Sequence, residues 1–328
     1  MRSRLLVLVP LLTFFVLTLI WFRANRALSD DLPLNHSRRV ITTDQGDREF
    51  ILYVPASYDP AKPVALVIML HGFGGTGLSA AKETGWSAKA DQESFIVLYP
   101  EASRPDPLKP QNFRRNPQAW NDGSGRFHAA EKEIDDVRFL AAMLDQVSTQ
   151  FKIDSDRIFV TGFSNGASMA FRVGAELSQR IAAIAPVAGT CWIEKITPSR
   201  PISLCYITGL ADSLNPIEGG FPKLAFGGKE QGGASKPPVQ VFIDQWIKAL
   251  GCSGEPQSDE TTSGVRKRTY GMGQENSEIM FITVEGLGHH WPGGVGQAPN
   301  FLVGKSSDKL KATELLWEFF KSHPIAKP

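Results

Sequence analysis

The sequence predicts an α/β protein of a single domain, with a mostly parallel sheet that is covered by helices on both faces. Short continuous apolar runs such as Val64–Leu70 are typical of parallel strands, because both faces of such strands are buried. These runs alternate along the chain with segments of helical periodicity, such as residues 131–151. Strands that alternate with helices are the pattern of a parallel sheet joined by crossover helices.

The elements follow in order from local patterns. A hairpin is predicted first, because two alternating segments flank the turn Asp44-Gln45-Gly46-Asp47. In the helix at 131–151, Asp135 and Asp136 lie in the first turns and are expected to complement the helix dipole. Gly- and Pro-rich loops at 101–130 and 213–238 leave the carboxyl ends of strands, where such sheets bind ligands. The other predictions are strands at 38–43, 49–54, 95–99, 158–161, 181–187, 202–208 and 279–284, and helices at 164–179, 239–250 and 307–322.

Composition excludes one class of partner and restricts the disulfides. The net charge is +1 and no basic cluster is interleaved with aromatic residues, so nucleic-acid binding is not expected. The three cysteines, Cys191, Cys205 and Cys252, allow at most one disulfide, and the sequence leaves its pairing open. Cys205 lies in an apolar run and is expected to be an inert core residue.

The N-terminus has the pattern of an export signal. Arg2 and Arg4 precede an apolar run at residues 5–22, and Arg23 and Arg26 follow it. The run is just long enough to cross a bilayer, and no site of small residues suited to cleavage follows it. We therefore expect an uncleaved membrane anchor, with a cleaved signal peptide and secretion as the alternative. The predicted organisation is an anchor or signal at 1–27, a tether at 28–36 and a catalytic domain at 37–322.

The segment Gly162-Phe163-Ser164-Asn165-Gly166 lies between a predicted strand and a predicted helix. A serine between glycines in a strand–turn–helix context is the nucleophile elbow of the α/β-hydrolase fold. The sharp turn strains the backbone of the serine, and side chains at Gly162 and Gly166 would collide with neighbouring elements. The elbow predicts this fold and makes Ser164 the candidate nucleophile.

A serine hydroxyl needs a base, usually a histidine that is oriented by a carboxylate. In this fold the order along the chain is serine, acid, histidine. His289 and His290 follow the last predicted strand, and we predict His289 as the base because Gly286 and Gly288 let the loop turn sharply before it. His290 is then expected to line the substrate cleft. Asp212 follows the strand at 202–208 and is the predicted acid, with Glu218 as the second candidate.

Acyl transfer to a serine also requires donors for the developing oxyanion. The backbone N–H of Asn165, which follows the nucleophile, is predicted as one donor. The second is predicted at the N–H of Phe73, in the Gly-rich loop Leu70-His71-Gly72-Phe73-Gly74-Gly75 after the first long parallel strand. His71 is expected to brace this turn instead of transferring protons.

The elbow, the His-Gly-x-Gly-Gly loop, the Gly-x-Ala-Asp segment and the Gly-x-Gly-His-x-Trp-Pro-Gly-Gly loop together resemble the poly(3-hydroxybutyrate) depolymerase and feruloyl/acetyl-xylan esterase family over residues 37–322. The resemblance implies an exported serine esterase without a metal or organic cofactor, and the same triad of Ser164, Asp212 and His289. By position, Trp120, Asn121 and Trp291 match groups on the family's substrate side.

The chain departs from the family pattern at several positions. Thr208 stands where histidine is frequent, and Asn215-Pro216-Ile217 replaces Val-Pro-Tyr, a change expected to alter the acyl pocket. Met272 stands where many members have a cysteine that pairs with the equivalent of Cys252, so this bridge is expected to be lost.

The sequence thus predicts hydrolysis of polyhydroxyalkanoate-oligomer, feruloyl or acetyl esters through an acyl-Ser164 intermediate. Two alternatives remain open at this point. An acyltransferase would use the same triad with an alcohol in place of water. A non-catalytic binding protein on an esterase scaffold would leave Ser164 unreactive.

Overall fold

The computed structural model describes residues 32–222, 235–296 and 298–325. Their strands form one ten-stranded sheet with the order β1-β2-β4-β3-β5-β6-β7-β10-β9-β8. Strands β3 to β7 and β10 run parallel, while the hairpin β1–β2 and the hairpin β8–β9 continue the sheet in antiparallel pairing at its two ends. The strands are β1 His36–Thr43, β2 Gly46–Tyr53, β3 Val64–Leu70, β4 Ile96–Pro100, β5 Ile153–Phe163, β6 Ala183–Val187, β7 Ser203–Gly209, β8 Ser258–Thr262, β9 Val265–Tyr270 and β10 Ile279–Val284.

Helices cover both faces of the sheet, as the alternation of elements predicts. The helices are α1 Gly77–Thr84, α2 Trp86–Glu93, α3 Phe127–Glu131, α4 Asp136–Gln150, α5 Asn165–Glu176, α6 Val239–Leu250, α7 Asn300–Val303 and α8 Ala312–Ser322. One apolar cluster joins α4, α5 and α6 to one face, and a second joins α1, α2 and α8 to the other. Trp246 of α6 and Phe320 of α8 are fully buried in these two clusters. The predicted single-domain α/β-hydrolase fold is confirmed.

The helix predicted at 131–151 begins five residues late, and one of its acidic residues has an additional role. Glu133 adopts a left-handed φ of 50°, and the side chain of Asp135 accepts a hydrogen bond from the N–H of Arg138, which caps the helix. Asp136 lies in the first turn, as expected for a carboxylate that complements the helix dipole. It is also fully buried and forms an ion pair with Arg48 at 2.6 Å.

The predicted N-terminal anchor cannot be compared with the described structure. The apolar run at 5–22, which forms this anchor, and the tether up to residue 31 lie outside the described residues. Among the residues that are described, no helix is long and apolar enough to cross a membrane.

The described chain contains no disulfide. Cys191 and Cys205 are buried free thiols, and the thiol of Cys252 lies 3.7 Å from the carbonyl of Ser277.

Candidate active site

The turn between β5 and α5 is sharp and strained. Ser164 has a φ of 57° and a ψ of −118°, a conformation that costs free energy in a non-glycine residue. A Cβ on Gly162 would overlap the backbone of Gly166, and a Cβ on Gly166 would overlap the carbonyl groups of Leu70 and His71. The steric reason for the two glycines is therefore as predicted.

The structure brings Ser164, Asp212 and His289 together from the ends of three strands. His289 Nδ1 lies 2.7 Å from Asp212 Oδ2, and His289 Nε2 lies 2.8 Å from Ser164 Oγ. A carboxylate only accepts hydrogen bonds, so Nδ1 donates to Asp212 and Nε2 is left to accept the hydroxyl proton of Ser164. This geometry allows a proton to leave the serine as it attacks. Glu218, the second candidate acid, is not in this chain of contacts.

Asp212 is buried and firmly oriented at the carboxyl end of β7. Its other oxygen, Oδ1, accepts the backbone N–H groups of Leu214 and Asn215 at 2.9 and 2.8 Å. Burial alone would raise the pKa of Asp212, but electrostatic attraction to the His289 ring, the hydrogen bond that this ring donates, the amide of Asn215 and the charge of Lys236 outweigh it and lower that pKa. Asp212 therefore stays ionised beside the imidazole.

The loop after β10 separates the two neighbouring histidines. The N–H of His289 donates to the carbonyl of Val303 at 2.6 Å, and Gly288 packs so closely against Val303 and Gly304 that a Cβ would not fit. The Nε2 of His290 lies 3.0 Å from the carbonyl of Gly304. Its side chain is 2% exposed, so the expectation that His290 lines the cleft does not match its position.

His71 holds the turn that follows β3. Its Nε2 accepts the N–H of Ala102 at 3.1 Å, and its Nδ1 lies 2.8 Å from the carbonyl of Gly72 and donates to it. Burial lowers the pKa of His71 to about 4, so the ring is neutral at pH 7 and fits the bracing role predicted from the sequence. Phe73 lies on this turn, and its ring stacks on that of Phe127 at 4.6 Å.

The aromatic residues matched to the substrate side lie in the interior instead. Trp120 is fully buried and its Nε1 donates to the carbonyl of His71 at 2.9 Å. Trp291 is 1% exposed and its Nε1 donates to Thr313 Oγ1 at 3.0 Å. Neither indole presents a face to solvent. Asn121 is partly exposed and borders an open cavity of about 430 Å³ next to Trp192.

Sequence reasoning missed a polar network behind the triad. Asn215 Oδ1 accepts Thr190 Oγ1 at 2.8 Å and Lys236 Nζ at 2.9 Å, and its Nδ2 donates to the hydroxyl of Tyr206 at 2.9 Å. Asn215 is thus the amide that links Lys236 to the segment that orients Asp212. The available signal was the departure from Val at this position, since an asparagine in an otherwise apolar place needs partners.

Comparisons with known proteins identify the family of this chain. Residues 54–217, half of the chain, match the family described as Phospholipase/Carboxylesterase. Feruloyl esterase C of Emericella nidulans is 25% identical over 83% of each chain. Poly(3-hydroxyalkanoate) depolymerase C of Paucimonas lemoignei is 23% identical over 79% of this chain, and feruloyl esterase B of Piromyces equi is 25% identical over 74% of it. The chain spans 62% and 42% of the length of the latter two.

A solved structure shows the same fold at low identity. The acetyl xylan esterase from Aspergillus awamori superposes with a TM-score of 0.53 and 16% identity, over 77% of this chain and 94% of that one. The chain belongs to the phospholipase/carboxylesterase family of α/β-hydrolases. It is a carboxylic ester hydrolase of the serine hydrolase class, and the resemblance to esterases and depolymerases found in the sequence is confirmed.

Proposed function

We propose that the protein is an exported serine esterase that works through an acyl-Ser164 intermediate. The observation that supports this most directly is the continuous chain of hydrogen bonds from Ser164 Oγ through His289 to Asp212, at 2.8 and 2.7 Å. In this mechanism Ser164 Oγ attacks the ester carbonyl carbon while its proton moves to His289 Nε2. Asp212 keeps the ring in the tautomer that can accept this proton.

The remaining steps of the cycle use the same groups. The N–H groups of Asn165 and Phe73 hold the oxyanion of the tetrahedral intermediate. When the intermediate collapses, the C–O bond to the alcohol breaks and His289 returns its proton to the leaving oxygen. Water then attacks the acyl-enzyme while His289 takes its proton, and His289 returns that proton to Ser164 Oγ as the acyl C–Oγ bond breaks and the acid is released.

The substrates proposed are feruloyl, acetyl or hydroxyalkanoate-oligomer esters. The relatives named feruloyl esterase and poly(3-hydroxyalkanoate) depolymerase support this range. The rings of Phe73, Phe113 and Phe127 form an aromatic cluster at the turn after β3, which suits an apolar or aromatic acyl group. We place the enzyme outside the cytoplasm, anchored by residues 5–22 or secreted after cleavage, because of the export pattern in the sequence.

The experiment combines labelling with a substrate panel. A fluorophosphonate probe should label the wild-type protein on Ser164, as mapped by peptide mass spectrometry. Rates should then be compared on p-nitrophenyl esters of increasing chain length, methyl ferulate and hydroxybutyrate oligomers. Label on another residue, or no hydrolysis of any ester by a folded protein, would reject the proposal. Products formed only when an alcohol acceptor is added would favour acyl transfer instead.

A further inference from the structure

The side chain of Asn165, the residue after the proposed nucleophile, has one fixed orientation. It is buried, and its Oδ1 accepts the backbone N–H of Trp120 at 2.8 Å. Its Nδ2 donates to Asp122 Oδ2 at 2.7 Å and lies 3.3 Å from the carbonyl of Trp120. A backbone N–H only donates and a carboxylate only accepts, so a flipped amide would break both of the short bonds.

The carboxylate of Asp122 is itself fixed by several hydrogen bonds. Its side chain is 1% exposed, and its Oδ1 accepts the N–H of Ser124 at 3.1 Å and the hydroxyl of Ser124 at 2.5 Å. Its Oδ2 also accepts Arg126 Nη2 at 3.1 Å. The Arg126 guanidinium rests over the rings of Phe127 and Trp192. A buried carboxylate that is fully paired in this way is a rigid acceptor for Asn165.

Trp120 joins the two halves of the proposed oxyanion hole. Its backbone N–H and carbonyl contact Asn165, while its indole Nε1 donates to the carbonyl of His71 at 2.9 Å. His71 begins the turn that contains Phe73. The N–H groups of Asn165 and Phe73 come from separate loops, so their separation depends on whatever connects the loops.

We propose that Asp122 and Trp120 are positioning residues that set the distance between the two oxyanion donors by fixing Asn165 against the turn of Phe73. Neither residue touches the reacting atoms. This inference rests on the proposed serine-esterase function, since it concerns how the same site is aligned. A misplacement of about 1 Å in such a site costs about a hundredfold in rate.

The test exchanges the two polar partners. In D122N, the new side-chain amide can take either of two orientations. In one its NH2 group faces the Nδ2 donor of Asn165, and in the other it faces the donors of Ser124, so one hydrogen bond is lost in both cases. In N165D, two carboxylates face each other. The D122N/N165D double variant restores a donor–acceptor pair with the same net charge, and the N–H of Trp120 still has an acceptor. D259N is the matched control, because Asp259 on β8 forms an exposed ion pair with Arg266 on β9.

Wild type and variants are compared for kcat and KM on p-nitrophenyl butyrate, and for inhibition by a trifluoromethyl ketone, whose hemiketal oxygen occupies the oxyanion hole. Each single variant should lose about tenfold to a hundredfold in kcat with KM changed less than about threefold. The inhibition constant should rise in parallel. The double variant should recover at least about fivefold of the kcat lost in D122N, and D259N should match wild type.

Single variants with wild-type kcat, or a folded double variant no faster than either single one, would overturn the inference. A change confined to KM would also do so. If the exchanged variants do not fold, W120F replaces them: it keeps a buried aromatic side chain, removes the indole N–H that donates to His71 at the cost of a small cavity, and should lower kcat and ketone binding by a common factor. Wild-type protein without phosphonate labelling or hydrolysis would instead reject the proposed function.

Discussion

At the scale of single residues, Ser164 combines a strained backbone with a hydroxyl that is already hydrogen-bonded to its base. Its φ of 57° turns the side chain out of the line of the strand, and His289 Nε2 lies 2.8 Å from its oxygen. The strained conformation is maintained because the backbone packs closely around Gly162 and Gly166, so the turn cannot relax. The conformation thus costs free energy, and in return it holds the side chain of the proposed nucleophile out from the strand.

We expect S164A to abolish ester hydrolysis while the fold is kept. Alanine has no nucleophilic oxygen, so kcat should fall by at least about a thousandfold. Because alanine differs from serine only by the lost hydroxyl, the thermal unfolding midpoint should stay close to that of wild type. Steady-state kinetics and thermal unfolding on the same preparation measure both. Near-normal turnover by a folded S164A protein would contradict the serine mechanism.

The two adjacent histidines should respond differently to replacement by alanine. H289A removes the ring that links Ser164 to Asp212, so kcat should fall by orders of magnitude. H290A removes a ring that is buried against the carbonyl of Gly304, so it should retain at least about a tenth of the activity and instead lower stability. Kinetics on purified, folded variants rank the two. The reverse order would refute the assignment of His289 as the base.

At the scale of elements, the crossing of α5 over the end of β3 depends on a missing side chain. A Cβ on Gly166 would overlap the carbonyl oxygens of Leu70 and His71, which are backbone atoms that cannot rotate away. The same contact brings the elbow next to the turn of Phe73. Close packing of helix on strand therefore also sets the spacing of the proposed oxyanion donors.

We expect G166A to destabilise the protein by about 2 kcal/mol or more, because overpacking against backbone is a strongly destabilising mechanism. G254A is the matched control, since a Cβ there has open space and its φ is not left-handed. That substitution should be neutral or slightly stabilising. Chemical denaturation of both variants gives the comparison. Equal free energies of unfolding would show that α5 shifts without cost.

How far the sequence predicts the elements depends on how apolar they are. The strands β3 and β10 and the helix α6 begin and end where their apolar patterns do. The hairpin β8–β9 was missed because its segments, Ser-Asp-Glu-Thr-Thr and Val-Arg-Lys-Arg-Thr-Tyr, are mostly charged and partly exposed. The helices α1 and α2 were missed because each is only eight residues long, which is about two turns and too short for a helical period to stand out.

The same distinction applies to the candidate site. The contacts among Ser164, Asp212 and His289 could be predicted because the order of the elements along the chain restricts which side chains can meet. The burial of Trp120 and Trp291 could not be predicted, because an indole in a loop can pack in the core or line a cleft, and the sequence does not distinguish the two. The partners of Asn215 lie far apart in sequence, and only the folded chain brings Lys236 to it.

At the scale of the whole molecule, one buried carboxyl makes stability depend on pH. Glu101 Oε2 accepts the N–H of Gly77 at 3.0 Å. Burial raises the pKa of Glu101 from 4.5 to about 7, although the amide of Gly77 and the charge of Arg38 lower it. The folded state therefore binds the proton more tightly than the unfolded state does. The stability that this group contributes is present below pH 4.5 and is lost as the pH rises through about 7.

We expect E101Q to remove this dependence. Between pH 4.5 and 7, the free energy of unfolding of wild type should fall relative to that of E101Q, because glutamine has no proton to lose. Urea denaturation of both proteins at several pH values in this window measures the difference. A constant difference, or one of the opposite sign, would show that Glu101 is ionised in the folded protein across this range.

The location of the whole protein is tested at its N-terminus. If residues 5–22 anchor the chain, membrane fractions should contain protein that still includes Met1-Arg2-Ser3-Arg4, and the catalytic domain should be accessible to protease from outside the cytoplasm. Cell fractionation with N-terminal mass spectrometry measures this. A released form that begins near residue 28 would show cleavage of a signal peptide.

The charged hairpin at one end of the sheet has a consequence for solubility at high concentration. Strand β8 is the last strand of the described sheet, and its outer edge is available for pairing with another molecule. Asp259 and Glu260 are exposed on it, so an antiparallel pair of two such edges would bring carboxylates of both copies together. Charge on an edge strand is a common protection against aggregation, and here the segment with the weakest strand pattern provides it.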